Sequence, residues 1–500
     1  MDTLGTADGT AGTGLDVGIL CQGWFPDAGG VESHTRDLAR DLISRGHRVH
    51  VLCLDYSPDR DPYSTRDLEV DGVQVRRMAY LYQDHRALAD VVENRRAEDV
   101  LYAWLAEHPV DVVHVHHLTG WGLGALRAIH GVGRPCVMTL HDYWPLCPRG
   151  QMMTPDRVVC AQPKPDVCAQ CIASTWGHLM PSRGGELRGP DSAVVTDDES
   201  AAAERTQFAL ECLSLPERLV TPSRRARAVF VRAGIHQGHI AVVENGVDVK
   251  GLVAQVKVLR EQSPNHPGGL RIGALGTVLP SKGQLELAHA FLEANVPQAT
   301  LEIYGAIPAY HGDESYVNEL GELAKKHPTV RLHGPYVLDD LPRILSELDA
   351  VVANSRWEEV YGLTVREASA VGLPVLVSDA GDLGSVTQGG AAGMVVEVDD
   401  HAGWVDAFWT LHNDADAMRR WRESPRRVHT TEAMVVELLA VYGDAIRRAG
   451  GDVLEVDLGL VAEEGGNAPK DELTTPRPVS KAAEPDSQSL LWRLLHRRKT

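Results

Sequence analysis

Short apolar runs alternate with amphipathic stretches through most of the 500-residue chain. Residues 16–20, 49–54, 111–117 and 135–140 are rich in Val, Ile and Leu and too short for helices, which predicts strands buried on both faces. Between them, 31–45, 87–107 and 123–130 repeat apolar positions at helical spacing. A strand at 219–223, a basic helix at 224–233 and a strand at 240–243 continue the series. After a polar stretch at 251–269 the alternation restarts. Strands are predicted at 271–275, 299–304, 330–333, 349–353 and 374–378, with helices at 284–293, from 364, and over 403–448. This alternation predicts an α/β fold of doubly wound parallel sheets, whose ligands gather at the carboxyl ends of strands. Two such series in a chain of this length predict two domains, 15–250 and 270–430, joined by a linker at 251–269 and followed by a return helix at 431–449.

The segment from Ala353 to Ala368 reads as strand, loop, helix, with Tyr361-Gly362 at the turn into the helix. A helix start offers unpaired N–H groups and the positive end of a dipole, which suits a phosphate; Gly362, Leu363 and Thr364 are the candidate donors. Glu359 lies in the loop and Glu367 about one turn into the helix. A carboxylate accepts through both oxygens, which fits the paired hydroxyls of a sugar or ribose. Other strand ends carry further candidates. Gly29-Gly30 opens the first helix, His116-His117 ends one strand, and His141-Asp142 follows the next. Lys282, beside glycines at the end of the 271–275 strand, is a candidate diphosphate clamp. No Gly-x-Gly-x-x-Gly occurs after the first strand, which lowers a nicotinamide-cofactor reading.

The spacing Glu359-x7-Glu367, followed by Ala368 and by Gly372-Leu373-Pro374-Val375, resembles the donor-binding signature of family 4 retaining glycosyltransferases. The resemblance runs over roughly 16–447 and implies the GT-B arrangement, two Rossmann-like domains facing a central cleft. It implies that Glu359 contacts the donor sugar near the reacting carbon and that Glu367 holds the nucleotide ribose. Lys282 would neutralise the leaving diphosphate, His141 would contact the donor sugar, Gly30 and Thr277 would border the donor, and Gly29, in the acceptor-side loop, would face the acceptor with His116, His117 and Asp142. Gly334, with Pro335 and Tyr336 beside it, would meet the base. The family usually places an Arg five residues before the Lys; this chain has Thr277 there, with Arg356 and Arg366 as candidate stand-ins.

The implied activity is transfer of a sugar from a nucleotide-diphosphate sugar to an acceptor hydroxyl, in surface glycan, polysaccharide or glycolipid biosynthesis, with no catalytic cofactor. The rivals are a nucleotide-sugar 2-epimerase on the same fold and a non-catalytic sugar-nucleotide-binding subunit. A net charge of −20 argues against nonspecific nucleic-acid binding. Residues 1–14 lack the basic start and apolar core of a signal peptide and read as disordered, and no apolar run is long enough to span a bilayer, so a cytoplasmic protein is expected.

Cysteines at Cys147, Cys160, Cys168 and Cys171 follow the spacing C-x12-C-x7-C-x2-C. Four thiolates suit a closed, structural zinc site; free thiols or a redox disulfide are the alternatives, and the spacing matches neither common ferredoxin pattern. Residues 182–204 are rich in Gly, Ser and Asp and read as a flexible insertion. A polar tail at 450–486 reads as disordered, and 487–500 as a basic amphipathic segment suited to peripheral contact with an anionic membrane.

Overall fold

The computed structural model describes residues 14–25, 29–82, 85–262 and 268–451. The expectations for the first 13 residues and for 452–500, the basic amphipathic segment among them, lie outside the described residues.

Two sheets carry the fold. The first contains β1 (Asp16–Leu20), β2 (Arg48–Asp55), β3 (Thr65–Val70), β4 (Val73–Ala79), β5 (Val112–Val115), β6 (Cys136–Thr139), β7 (Arg218–Thr221) and β8 (Ile240–Val242), in the order β3-β4-β2-β1-β5-β6-β7-β8. All neighbours are parallel except β3 and β4, which form an antiparallel edge hairpin. The second contains β9 (Leu270–Leu275), β10 (Ala299–Tyr304), β11 (Val330–Gly334), β12 (Ala350–Ala353), β13 (Val375–Ser378) and β14 (Gly393–Val396), in the order β11-β10-β9-β12-β13-β14. It is parallel throughout. In each sheet the order reverses beside its first strand, between β1 and β5 and between β9 and β12. The loops that leave these strands diverge there and open a crevice.

Helices cover both faces of each sheet at its centre, which is why the central strands are apolar. Val17, Ile19, Val51 and Val112 have no exposed surface, and burying each such side chain contributes about 1.5–3 kcal/mol. On one face of the first sheet they pack against Leu38, Ala39 and Leu42 of helix Gly30–Ser44 and against Val435, Leu438 and Tyr442 of helix Thr431–Arg448. The chain therefore leaves the first sheet after β8 and comes back at its end. The outgoing and returning segments touch. The Val247 amide donates to the His429 carbonyl (3.0 Å), and the Thr431 amide donates to the Val247 carbonyl (3.2 Å).

Several elements differ from the sequence reading. The expected linker is mostly a helix, Val249–Gln262. Only Leu252 and Val256, one turn apart, are buried, against Ile344, Leu345 and Leu348, so its apolar stripe is too narrow to stand out from polar surroundings. The expected flexible insertion at 182–204 is cross-linked by polar contacts. Ser182 N donates to Asp198 Oδ1 (2.8 Å), Arg127 binds Asp191 (2.6 Å), and Arg188 pairs with Asp90. Its last part already belongs to helix Asp198–Leu213, capped by the Asp197 side chain on the Ser200 amide. The expected helix over 87–107 breaks at Glu93, and Asn94 caps a new helix, Arg95–Glu107, through the Ala97 amide.

Candidate functional site

The second sheet supplies two loops at its switch point. The loop after β9 returns through Gly283, whose φ of 67° and close approach to the Asn354 carbonyl (2.2 Å from an added Cβ) admit only glycine. That turn presents Lys282 towards the loop after β12. Lys282 Nζ donates to Glu359 Oε2 at 2.6 Å. Ser355 Oγ (2.7 Å) and Trp357 Nε1 (3.0 Å) donate to the same oxygen. Three donors on one oxygen, one of them charged, hold a carboxylate that is only 7% exposed. Lys282 Nζ also lies 5.4 Å from the centre of the Trp357 ring. Lys282, Ser355, Glu359, Gly362 and Thr364 line one cavity.

The same loop then enters helix Leu363–Ala370. Gly362 at its start has φ 80°, and no side chain caps the first turn. Its first amides, at Leu363, Thr364 and Val365, thus present donors and the positive dipole end. Across the crevice, helix Gly30–Ser44 also begins without a side-chain cap, at Gly29. A Cβ on Gly30 would lie 3.8 Å from Leu363 Cδ1. Two helix N-termini, one from each half, thereby meet at one place. The halves are also joined by hydrogen bonds. Ser223 Oγ accepts the Ala226 amide (3.1 Å) and donates to the Val360 carbonyl (2.8 Å), and Tyr361 Oη donates to Glu244 (3.1 Å).

The Glu367 side chain is partly buried and makes no hydrogen bond or ion pair among the described residues. Burial first, and the Asp37 carboxylate of helix Gly30–Ser44 second, push its pKa up to about 7. Burial first, and the nearby Glu367 carboxylate second, raise the pKa of Tyr336, and Gly334 precedes Tyr336 at the end of β11 with φ 78°. Thr277 is exposed, and its carbonyl accepts from Gln284 Nε2 (3.0 Å). Neither candidate stand-in for the missing Arg is free. Arg356 binds Asp399 (2.7 Å) and Glu286 (3.4 Å). Arg366 is buried over the Tyr361 ring, donates to the Tyr361 carbonyl, and binds Asp382 (2.7 Å).

At the switch point of the first sheet, histidines gather. His116 Nδ1 and His141 Nε2 are hydrogen-bonded at 3.1 Å. The His34 ring lies 4.8 Å from that of His141 and 5.2 Å from that of His116, and one donor atom from each of the three lies within 4.8 Å of the others. Burial lowers the pKa of His34 to about 4. Burial and the neighbouring rings hold His116 and His141 well below the ordinary value. All three are neutral near pH 7, and they offer hydrogen bonds rather than charge. His114 completes the array, bonded to Tyr442 Oη (2.7 Å) and Thr139 Oγ1 (2.8 Å). His117 differs. Burial works against its charge, but Asp142, 3.2 Å from Nε2, raises its pKa.

Sequence reading named Lys282, Glu359, His116 and His141 separately; the structure pairs Lys282 with Glu359 and His116 with His141. That reading missed Ser355, Trp357, His34 and Asp37. The first two lie within four residues of Glu359, a signal that was present. His34 and Asp37 lie on the inward side of the helix after Gly29-Gly30, and only the packing of that helix reveals them.

The family Glycosyltransferase Family 4 matches residues 28–173, and the family Glycosyl transferases group 1 matches residues 269–414, together more than half of the chain. A D-inositol 3-phosphate glycosyltransferase of Nocardioides sp. is 23% identical over 463 residues, 88% of this chain and 90% of that protein. A phosphatidyl-myo-inositol mannosyltransferase of Mycolicibacterium smegmatis is 25% identical over 438 residues, 86% of this chain and 93% of that protein. The D-inositol 3-phosphate glycosyltransferase of Salinispora tropica is 28% identical over 225 residues, a match to 41% of this chain and less than half, 46%, of that relative's length. Among solved structures, sucrose-phosphate synthase from Thermosynechococcus elongatus superposes with a TM-score of 0.59 at 16% identity, covering 86% of this chain and 98% of that one. Anabaena HepE in complex with UDP and glucose superposes with a TM-score of 0.58 at 16% identity, covering 85% and 99%. These likenesses show the GT-B fold. On the two family matches and the full-length relatives, the chain belongs to glycosyltransferase family 4.

Proposed function

We propose that the protein is a retaining glycosyltransferase that moves a sugar from a nucleoside-diphosphate sugar to an acceptor hydroxyl. The observation that carries this reading is the meeting of Lys282, Glu359 and the uncapped start of helix Leu363–Ala370 in one cavity. The HepE structures hold UDP and UDP-glucose, which supports a nucleotide-sugar donor here. A diphosphate placed at the helix start competes with Glu359 for Lys282. Donor binding then transfers the ammonium to the diphosphate and releases the Glu359 carboxylate to orient the sugar and to stabilise positive charge near its anomeric carbon. The bond from that carbon to the phosphate oxygen breaks, the acceptor oxygen bonds to the carbon on the same face, and the acceptor proton passes to the leaving phosphate. Charge grows on the leaving diphosphate, so Lys282 and the amides at 362–364 act where stabilisation is largest in the transition state. Glu367 holds the ribose, Gly334 and Tyr336 border the base, and neutral His141 hydrogen-bonds the donor sugar. His116, His117, Asp142 and Gly29 face the acceptor.

The acceptor class we infer is a glycan or lipid-linked hydroxyl in surface-glycan, polysaccharide or glycolipid synthesis. The reading includes a cytoplasmic protein that contacts the inner face of the membrane through 487–500. No helix among the described residues is long and apolar enough to cross a membrane. One observation favours a second reading. Thr277 stands where the family has Arg and both stand-ins are engaged elsewhere, which suits a non-catalytic sugar-nucleotide-binding subunit. Thermal shift against UDP, GDP, ADP and dTDP and their sugar conjugates tests the donor site, and release of labelled sugar from the stabilising donor separates the readings. Stabilisation with slow sugar release supports the transferase. Stabilisation with no release or transfer supports the subunit, and no stabilisation by any nucleotide overturns both.

A further inference from the structure

Among the described residues, one group of His, Cys, Asp or Glu side chains lies close enough together to share an ion. It is His34, His116 and His141, with one ring nitrogen of each within 4.8 Å of the others. Cys147, Cys160, Cys168 and Cys171, the zinc ligands expected from the spacing, form no such group, and none is in a disulfide.

Three separate elements hold the imidazoles. His34 projects from helix Gly30–Ser44. His116 follows β5, with its amide donating to the Leu20 carbonyl (2.8 Å), and His141 follows β6 one residue after the Leu140 amide donates to the Val220 carbonyl (2.8 Å). The ring of His114 backs that of His116, with 3.9 Å between centres. Both nitrogens of His114 are bonded, to Tyr442 Oη and Thr139 Oγ1, so it supports the group without joining it.

The three rings have the chemistry of ligands. His34 and His116 are more than nine-tenths buried, yet both nitrogens of His34 and Nε2 of His116 have no hydrogen-bond partner among the described residues. Buried polar atoms are ordinarily satisfied. Burial keeps all three rings neutral near pH 7, the form in which imidazole ligates a metal. His116 Nδ1 and His141 Nε2 share a proton at 3.1 Å. Two nitrogens at about 2.0–2.1 Å from a tetrahedral zinc ion stand roughly 3.3–3.4 Å apart, so an ion can take the place of that proton with little movement. A set of nitrogen donors suits zinc, nickel, cobalt or copper and does not suit magnesium or calcium.

We propose that His34, His116 and His141 bind one divalent transition ion, zinc foremost, and that the bound ion blocks the donor sugar. A small turn of the His34 ring closes the triangle. The proton between His116 and His141 moves to the other nitrogen of its ring, so each ligand stays a neutral imidazole and binding releases no proton. The fourth position opens on the side of His141, the one partly exposed member. The blocking role rests on the reading of His141 as a contact of the donor sugar, because a nitrogen that holds the ion is lost to the sugar hydroxyls.

The test uses the full chain without an affinity tag, freed of metal by dialysis. Zinc titrated against a chromophoric chelator should bind at about one equivalent per chain, and cobalt(II) in its place should give the visible absorption of a tetrahedral site. His34→Ala should weaken zinc binding about a hundredfold or more. His289→Ala, at an exposed position beside Glu319, should leave it unchanged. Thermal unfolding of the metal-free proteins separates loss of a ligand from loss of the fold, and His141→Gln gives the same loss of zinc if His34→Ala does not fold. Binding retained in both variants, or no binding by the wild type, overturns the site. The block is read as affinity for the stabilising nucleotide sugar and for its nucleotide alone. Zinc at one equivalent should weaken the first and spare the second in the wild type, and change neither in His34→Ala. Unchanged or tighter binding of the nucleotide sugar overturns the block. A chain that binds zinc but no nucleotide overturns the donor reading, and the block with it, while supporting the ion site.

Discussion

Glu367 sets the sharpest expectation at the scale of the residue. Its carboxyl is pushed up to about 7 by burial and by the Asp37 carboxylate. Ribose hydroxyls donate to the ionised form, so binding lowers this pKa and releases a proton. Nucleotide affinity should therefore rise with pH, by about tenfold from pH 6 to pH 8. Glu367→Gln should weaken binding at pH 8 by ~1.5–3 kcal/mol and remove that part of the pH dependence. Calorimetry on both proteins across pH checks this, since protonation of the nucleotide itself is common to the two. Lys282 and Glu359 set a second expectation, because they share one hydrogen bond at 2.6 Å. Lys282→Ala strands a buried carboxylate, and Glu359→Ala removes that problem. The two changes should couple by ~1–3 kcal/mol in urea unfolding. Lys282→Ala should also lower the rate of transfer about a hundredfold or more. Both glutamates and the lysine were singled out by their place at a helix start or glycine turn together with the family resemblance that the Glu-x7-Glu spacing carries. Asp37 was not, since its proximity to Glu367 arises only when the two halves face each other.

At the scale of the element, the loop after β13 presses on the loop that carries Glu359. Gly381 has φ 55°, and a Cβ there would lie 2.1 Å from the Glu359 carbonyl oxygen. Backbone cannot move aside as a side-chain tip can, so Gly381→Ala should destabilise the protein by ~2–4 kcal/mol. Denaturant midpoints measure the loss. Gly362→Ala should cost less, about 1–2 kcal/mol, because its Cβ would meet the movable Leu383 Cδ2 at 2.5 Å. The central strands were readable because two covered faces force an uninterrupted apolar run. The β3–β4 hairpin was passed over because Thr65–Val70 at the sheet edge is mostly exposed and carries charge. Helix Val249–Gln262 was hidden by its mostly polar surface.

On the scale of the molecule, single groups serve both halves. Ser223 Oγ caps its own helix and bonds the Val360 carbonyl across the crevice. Ser223→Ala should cost about 1–2 kcal/mol of stability from the lost cap. It should also raise the KM for donor, because the loop leading to Gly362 loses an anchor; steady-state kinetics beside thermal unfolding separate the two effects. The contact between the outgoing segment at Val247 and the returning segment at His429 to Thr431 reaches further. Two tethers bonded side by side behave as a spine. Swinging about their common line leaves the bonds between them intact, whereas twisting or sliding must break them. Opening about that line is therefore the motion that these two bonds oppose least.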